Sequence, residues 1–275
     1  MINRHAEREG IEPNTSYEIG RFVYLPGRRV FPIYIKVSPE GLYRPGVLAD
    51  ILQVFTSKKV PIVHLDISRP NGSTPIDIIV FADLTGREHL IDDIIKDIKL
   101  VKLVDYVRYN TPEFDGLASC NSCYFLTLMR ERVVVFRKTL YEIFAKRLRE
   151  ELGSGYTAWL YQLGIALGRS AYESNKELIG EDFEKLLKIG SVMFEQVGFG
   201  KINIVEADVL KGKVVIRIFD SFECELYRGQ TNESSSFFIK GILKGYFDEL
   251  IKRDVKVVEI KCIAKGDPYC EFVIK

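Results

Sequence analysis

The chain has 275 residues, enough for two domains of ordinary size. Hydrophobic residues make up 47% and charged residues 28%, a balance that supports packed cores and excludes disorder throughout. A formal net charge of +1 lacks the basic excess of a dedicated nucleic-acid binder, so no nucleic-acid partner is expected.

No run approaches the roughly 18 apolar residues that span a bilayer, and no apolar run follows the charged N-terminus as in a signal peptide. A cytoplasmic protein with no membrane partner is the expectation. Five cysteines, Cys120, Cys123, Cys224, Cys262 and Cys270, are too few for a disulfide framework at this length.

Residues 1–28 read as a polar N-terminal extension. In RRVFPIYIKV, residues 29–38, Ile33, Ile35 and Val37 alternate onto one face, as a strand requires. Val47, Leu48, Ile51, Leu52 and Phe55 then follow helical spacing. PIVHLDISRP is a strand with Val63, Leu65 and Ile67 inward, and a turn at NGST leads into the strand IDIIVFADL. Leu90, Ile94 and Ile98 mark a second amphipathic helix, and VKLVDYVRY a last strand. The order is βαββαβ over 29–110, a ferredoxin-like split βαβ.

LYRPGVLADILQVFTSKKVPIVHLDI, with Pro45-Gly46 in its loop, resembles the ACT domain, a regulatory module. The resemblance implies a small effector or dimerisation, and hence a homodimer. Residues 111–122, TPEFDGLASCNS, break both periods and read as a linker. Cys120 and Cys123 form a CxxC there without the second pair of a zinc site or the βαβ context of a redox motif.

Residues 123–275 have a different grammar. LYEIFAKRLREEL, SGYTAWLYQLGIALGRSAYES and EDFEKLLKIGSVMFEQV are helices, with Ser154 a cap and acids at the start of the third. KINIVEADVL, a turn at KGK, and VVIRIFDSFE are strands. SFFIKGILKGYFDELIKR is a last helix, before the hairpin VKVVEIKCIAK–GDP–YCEFVIK. Helices beside an antiparallel meander make an α+β domain.

A short loop at Gly266 sets Cys262 opposite Cys270, with Cβ atoms roughly 4.5–5.5 Å apart. That separation suits two thiolates on one zinc better than an unstrained disulfide, and two small buried hydrophobes are the third reading. Glu259 and Cys262 are an odd number of residues apart, so only a bulge brings both to one metal.

Glu259, Cys262, Gly266, Asp267, Pro268, Cys270 and Phe272, with the glycine-spaced helix before them, resemble the end of the 4-vinyl reductase domain. WLYQLGIALG resembles an earlier helix of that family, so the likeness covers about residues 128–275. It implies a fold shared with transport protein particle subunits and a zinc held by three cysteines and the glutamate. Ser236 stands where the family's first cysteine falls, so either Cys224 supplies the third thiolate or water fills that place in a weakened site.

Gly164 and Gly168, and Gly241 and Gly245, are each four apart and clear one helical face, for close packing or for a ligand space. Trp159, Tyr161, Leu163, Phe194 and Phe237 are the bulky residues placed to line such a space. No histidine has a Cys or Ser partner in a nucleophile motif, and no phosphate-binding loop or dinucleotide fingerprint occurs. The reading is a regulatory or sensor protein that binds a small hydrophobic or aromatic molecule and is not an enzyme. The alternatives are a scaffold for protein partners and an accessory enzyme of pigment or aromatic metabolism.

Overall fold

The computed structural model describes residues 18–69, 72–123, 125–208 and 212–275. Most of the N-terminal extension, and parts of the turns expected at 71–74 and 211–213, lie outside them. The chain divides after Leu126 into two units. No helix among the described residues is long and apolar enough to cross a membrane.

The first unit runs β1 (Phe22–Tyr24), β2 (Val30–Val37), α1 (Val47–Ser57), β3 (Ile62–Ile67), β4 (Ile76–Asp83), α2 (Ile91–Leu100), β5 (Val104–Tyr109) and β6 (Leu117–Ser119). The central sheet is antiparallel in the order β3-β4-β2-β5, so the expected βαββαβ succession is present. Alternation in β2 puts Ile33, Ile35 and Val37 against Ile51 and Phe55 of α1 and Ile94 and Ile98 of α2. The expected phase of β3 needs correction. A bulge between Ile62 and His64 turns Ile62 and Leu65 to the core and leaves Val63 and Ile67 exposed.

Residues 111–122, expected as a linker, contain β6, which pairs antiparallel with β1. Ala118 and Cys120 join Val30, Tyr34, Ile79 and Phe81 on the sheet face away from the helices, and Cys123 packs beside them. The CxxC thus helps cover a sheet face. Three-residue strands are too short to show a period, which is why the segment reads as loop.

A ribbon of β7 (Leu126–Leu128) and β8 (Glu131–Val133) begins at the last residue of the first unit and leads into the second. α3 (Lys138–Glu142) passes through one π-helical turn, Ile143–Arg147, into α4 (Leu148–Ile179), which is interrupted at Gly153. Then come α5 (Phe183–Gln196), β9 (Lys201–Asp208), β10 (Lys213–Phe219), α6 (Phe237–Ile251), β11 (Val257–Lys261) and β12 (Cys270–Ile274). Asp182 caps α5 by accepting from the Lys185 amide at 2.9 Å. The sheet is antiparallel in the order β11-β12-β10-β9, and its inner face packs on α4, α5 and α6.

α4 and α6 touch backbone to backbone. A Cβ on Gly164 would lie 2.3 Å from the Phe238 carbonyl oxygen, and one on Gly241 would lie 2.2 Å from that of Tyr161. Gly168 and Gly245 meet the carbonyls of Ile242 and Ile165, each at 2.1 Å. No side chain fits at any of the four. Gly155, also on α4, would meet nothing within 4 Å. Chemical denaturation should therefore give opposite signs at two helical glycines. Gly241→Leu should cost about 3 kcal/mol or more, while Gly155→Ala should gain roughly 0.5–1 kcal/mol from helix propensity. A cost below about 0.5 kcal/mol for Gly241→Leu would rule out this contact.

Candidate metal centre and apolar cavity

Three separate turns bring the terminal cysteines together with a third. After β10 the chain enters a 3₁₀ turn, Cys224–Tyr227, so Cys224 sits beyond the strand end where the sequence suggested it. Ser236 stands at the N-cap position of α6. In the final hairpin, Glu259 pairs with Phe272 and Lys261 with Glu271, which leaves Ile260 bulged and half exposed. This is the irregularity that the Glu259–Cys262 spacing demands. The paired register ends at Lys261, and Cys262 leads into a short 3₁₀ turn, Ile263–Lys265, before Cys270 opens β12. Asp267 closes the loop, its Oδ2 accepting from the Cys262 amide at 2.8 Å and its amide donating to the Cys262 carbonyl at 3.2 Å.

The sulfurs of Cys224, Cys262 and Cys270 and a carboxylate oxygen of Glu259 all lie within 4.8 Å of one another. The three cysteines are fully buried, and Glu259 is partly exposed. Cys224 and Cys262 sulfurs are 3.7 Å apart. A tetrahedral ion with sulfur bonds of about 2.3 Å needs sulfurs roughly 3.8 Å apart, so this edge already has the required length. Three soft sulfurs and one carboxylate suit a borderline divalent cation such as zinc better than magnesium or calcium. Three cysteines and a glutamate thus form a group that can hold a metal ion.

Ser236 Oγ lies 2.8 Å from Cys224 Sγ and donates to Glu259 Oε1 at 2.7 Å. It is farther from Cys270 and Cys262 sulfurs, at 3.8 and 4.0 Å. Turned toward this cluster, the hydroxyl does not cap its own helix. Glu223 does so instead, from the residue before Cys224, accepting from the Phe238 and Ile239 amides at 2.9 and 3.0 Å. One buried carboxylate thereby ties the Cys224 turn to the start of α6. Sequence reading missed Glu223, because a cap supplied from another element leaves no local signal.

Hydrogen bonds from Cys224 and Cys270 hold the Cys262 thiol well below the ordinary range. Burial and the Cys262 charge push Glu259 up to about 8. Burial pushes Glu223 up to about 7, against the helix amides that favour its charge. A carboxyl raised in the folded state contributes stability that is full below its unfolded value near 4.5 and lost as pH rises through about 7. In chelator-treated protein, wild type should therefore lose ground to Glu223→Gln between pH 4.5 and 7, by on the order of 3 kcal/mol at most. Paired thermal melts with a pH-independent difference would contradict this.

A cavity of about 250 Å³ opens between α4, α5, α6 and the inner sheet face. Ala171, Leu187, Phe194, Ile216, Leu243 and Tyr246 are among its walls, and Leu128 and Val133 of the β7–β8 ribbon close one side. Of the five residues expected to line a ligand space, Phe194 is on the wall. Trp159 is half exposed, stacks on Tyr156 and borders a surface groove with Phe144, Leu148 and Leu152. Leu163 is also exposed, while Tyr161 lends its backbone carbonyl to the α4–α6 contact. Phe237 lies under the Arg149 guanidinium, 4.9 Å from its ring centre. The helical period places a residue on a stripe but does not tell which stripe meets the cavity.

The V4R domain profile matches residues 214–275, which include all four of the clustered residues. Two uncharacterized proteins of Methanocaldococcus jannaschii, MJ0150 and MJ1460, are each 30% identical to this chain over 127 and 126 residues. The matches cover 45% and 46% of this chain and 66% and 69% of those proteins, so the chain spans about two thirds of their length. Among solved structures, the phenol-responsive sensory domain of the transcription activator PoxR, with phenol, is 19% identical. It covers 53% of this chain and 77% of its own, with a TM-score of 0.48. A vinyl-4-reductase family protein of M. jannaschii is 21% identical over 54% of this chain and 85% of its own, at a TM-score of 0.39. A trafficking protein particle complex subunit 3 from Naegleria fowleri, covalently bound to palmitic acid, is 15% identical over 50% and 93%, at 0.40. Through its C-terminal unit, this chain belongs to the V4R domain family.

Proposed function

We propose that the C-terminal unit is a binding module for a small hydrophobic molecule, with a zinc ion bracing the wall of the cavity that receives it. The observation that carries this reading is the apolar cavity itself, walled by three helices and a sheet. Cys224, Glu259, Cys262 and Cys270 would hold the zinc. The ion would neutralise the thiolates and fasten the turn before α6 to the terminal hairpin. α6 carries Ser236 at one end and Tyr246 on the cavity wall, about 15 Å along the helix. Fixing its start therefore fixes the cavity. The N-terminal unit would supply the regulatory or dimerisation half of a sensor, and analytical ultracentrifugation of the full chain should then give the mass of a dimer.

Exposed Leu152, Trp159 and Leu163 on α4 favour a second reading, a scaffold for a protein partner. Ligand binding separates the two. Tetralin, a neutral bicyclic hydrocarbon, should bind with a stoichiometry of one per chain by calorimetry, and Ala171→Phe should abolish that binding by filling the cavity. Absent or non-saturable heats with wild-type protein would favour the scaffold.

Metal content tests the brace. Protein purified without added metal should carry close to one zinc per chain. Cys224→Ala, Cys262→Ser and Cys270→Ser should each lose it, whereas Ser236→Ala should keep it. The double change Cys224→Ser with Ser236→Cys should restore binding by returning the third thiolate to the start of α6. Because the ligands must shed protons to bind, affinity should fall as pH drops. Zinc retained in Cys224→Ala would remove Cys224 from the set.

A further inference from the structure

Ser170, Ser174, Ser191 and Asn175 are polar residues on the cavity wall, and Asn175 is the buried one among them. It lies on α4 and is only 2% exposed. Its Nδ2 donates to the Tyr246 hydroxyl at 3.2 Å. That hydroxyl in turn donates to the Leu186 carbonyl at 2.6 Å, so its single proton is committed and it acts toward Asn175 as an acceptor. The Asn175 side chain makes no other hydrogen bond among the described residues, and it lines the cavity, where a bound molecule can meet the rest of its amide. Buried amides are normally satisfied.

The pair is held by a deliberate gap. A Cβ on Gly190 of α5 would lie 2.8 Å from the Tyr246 hydroxyl oxygen and from the adjoining ring carbon. Any other residue there would displace the phenol that anchors Asn175. Gly190 also lines the cavity. Burial pushes the Tyr246 phenol up to about 12, so it remains protonated across the physiological range. Glu131 is the one charged residue among those that line the cavity, and it is exposed on β8. Nothing on the inner wall would balance the charge of an ionised ligand.

We infer that Asn175 is the specificity-determining residue of this cavity, and that it selects a neutral, mostly apolar molecule bearing one group that both donates and accepts a hydrogen bond. A hydroxyl is the simplest such group. It would donate to Asn175 Oδ1 and accept from Nδ2, completing the amide's partners. An apolar cavity of about 150 Å³ holds benzene, so 250 Å³ holds about ten heavy atoms. The inference rests on the cavity being a ligand site, and the experiment keeps the two claims apart.

Calorimetric titration of the full chain would compare 2-tetralol, tetralin and the anion tetralin-2-carboxylate. Tetralol should bind at least about tenfold more tightly than tetralin, and the carboxylate should bind more weakly than either. Asn175→Leu should erase the tetralol preference while still binding tetralin. Tyr246→Phe, which keeps the ring and frees the amide, should reduce the preference severalfold and covers the case in which the leucine variant misfolds. Equal affinities of wild type for tetralol and tetralin would overturn the role of Asn175 and leave the cavity reading standing. An unchanged preference in both variants would do the same. Failure of wild type to bind tetralin at all would overturn the cavity reading, and this inference with it.

Discussion

Two helices meet without side chains between them, and most of the C-terminal unit follows from that contact. Gly164 and Gly168 on α4 face Gly241 and Gly245 on α6, each with a neighbouring carbonyl where a Cβ would be. Glycine inside a helix costs about 1 kcal/mol relative to alanine, and four of them need an offsetting gain. The gain is a fixed axis for α6. Its buried residues Ile239, Leu243 and Phe247 then reach the sheet, and its N-cap residue, Ser236, is delivered to the cysteine cluster.

The two candidate sites are best understood as opposite ends of that one helix. At the start of α6, the capping task has been handed to Glu223, and the N-cap serine faces three sulfurs and a carboxylate. Farther along, Tyr246 leaves the helix toward Asn175 and the open space beside it. Anything that loosens the first end changes the wall at the second. A metal ion at the cluster and a molecule in the cavity would therefore each favour the same packing of α6, which is how a brace supports a binding site without touching the ligand.

Much of this was legible in the residues. Apolar alternation and helical spacing reveal the βαββαβ order of the first unit, and the glycine pairs point to close helix packing. The odd spacing of Glu259 and Cys262 requires the bulge that Ile260 supplies. Cys224 is an evident substitute for a missing thiol, because few cysteines are available. Other features left no periodic trace. β1 and β6 are three residues each and pair across some ninety residues of sequence, so Leu117–Ser119 resembles loop. Glu223 and Asn175 act through space on partners in other elements, and no local pattern distinguishes them from ordinary surface residues. Trp159 and Leu163 fit the expected stripe of α4 yet face away from the cavity, because the glycines, and not the bulky residues, decide which side of α4 meets α6.

The central claim is that this chain keeps a four-ligand metal centre at the start of α6 by taking its third thiolate from the preceding turn. X-ray absorption at the zinc edge, on protein purified without added metal, tests it most directly. The account predicts a shell of three sulfurs at about 2.3 Å and one oxygen at about 2.0 Å. A shell of nitrogen and oxygen alone, a shell with fewer than three sulfurs, or protein that carries no zinc would contradict it.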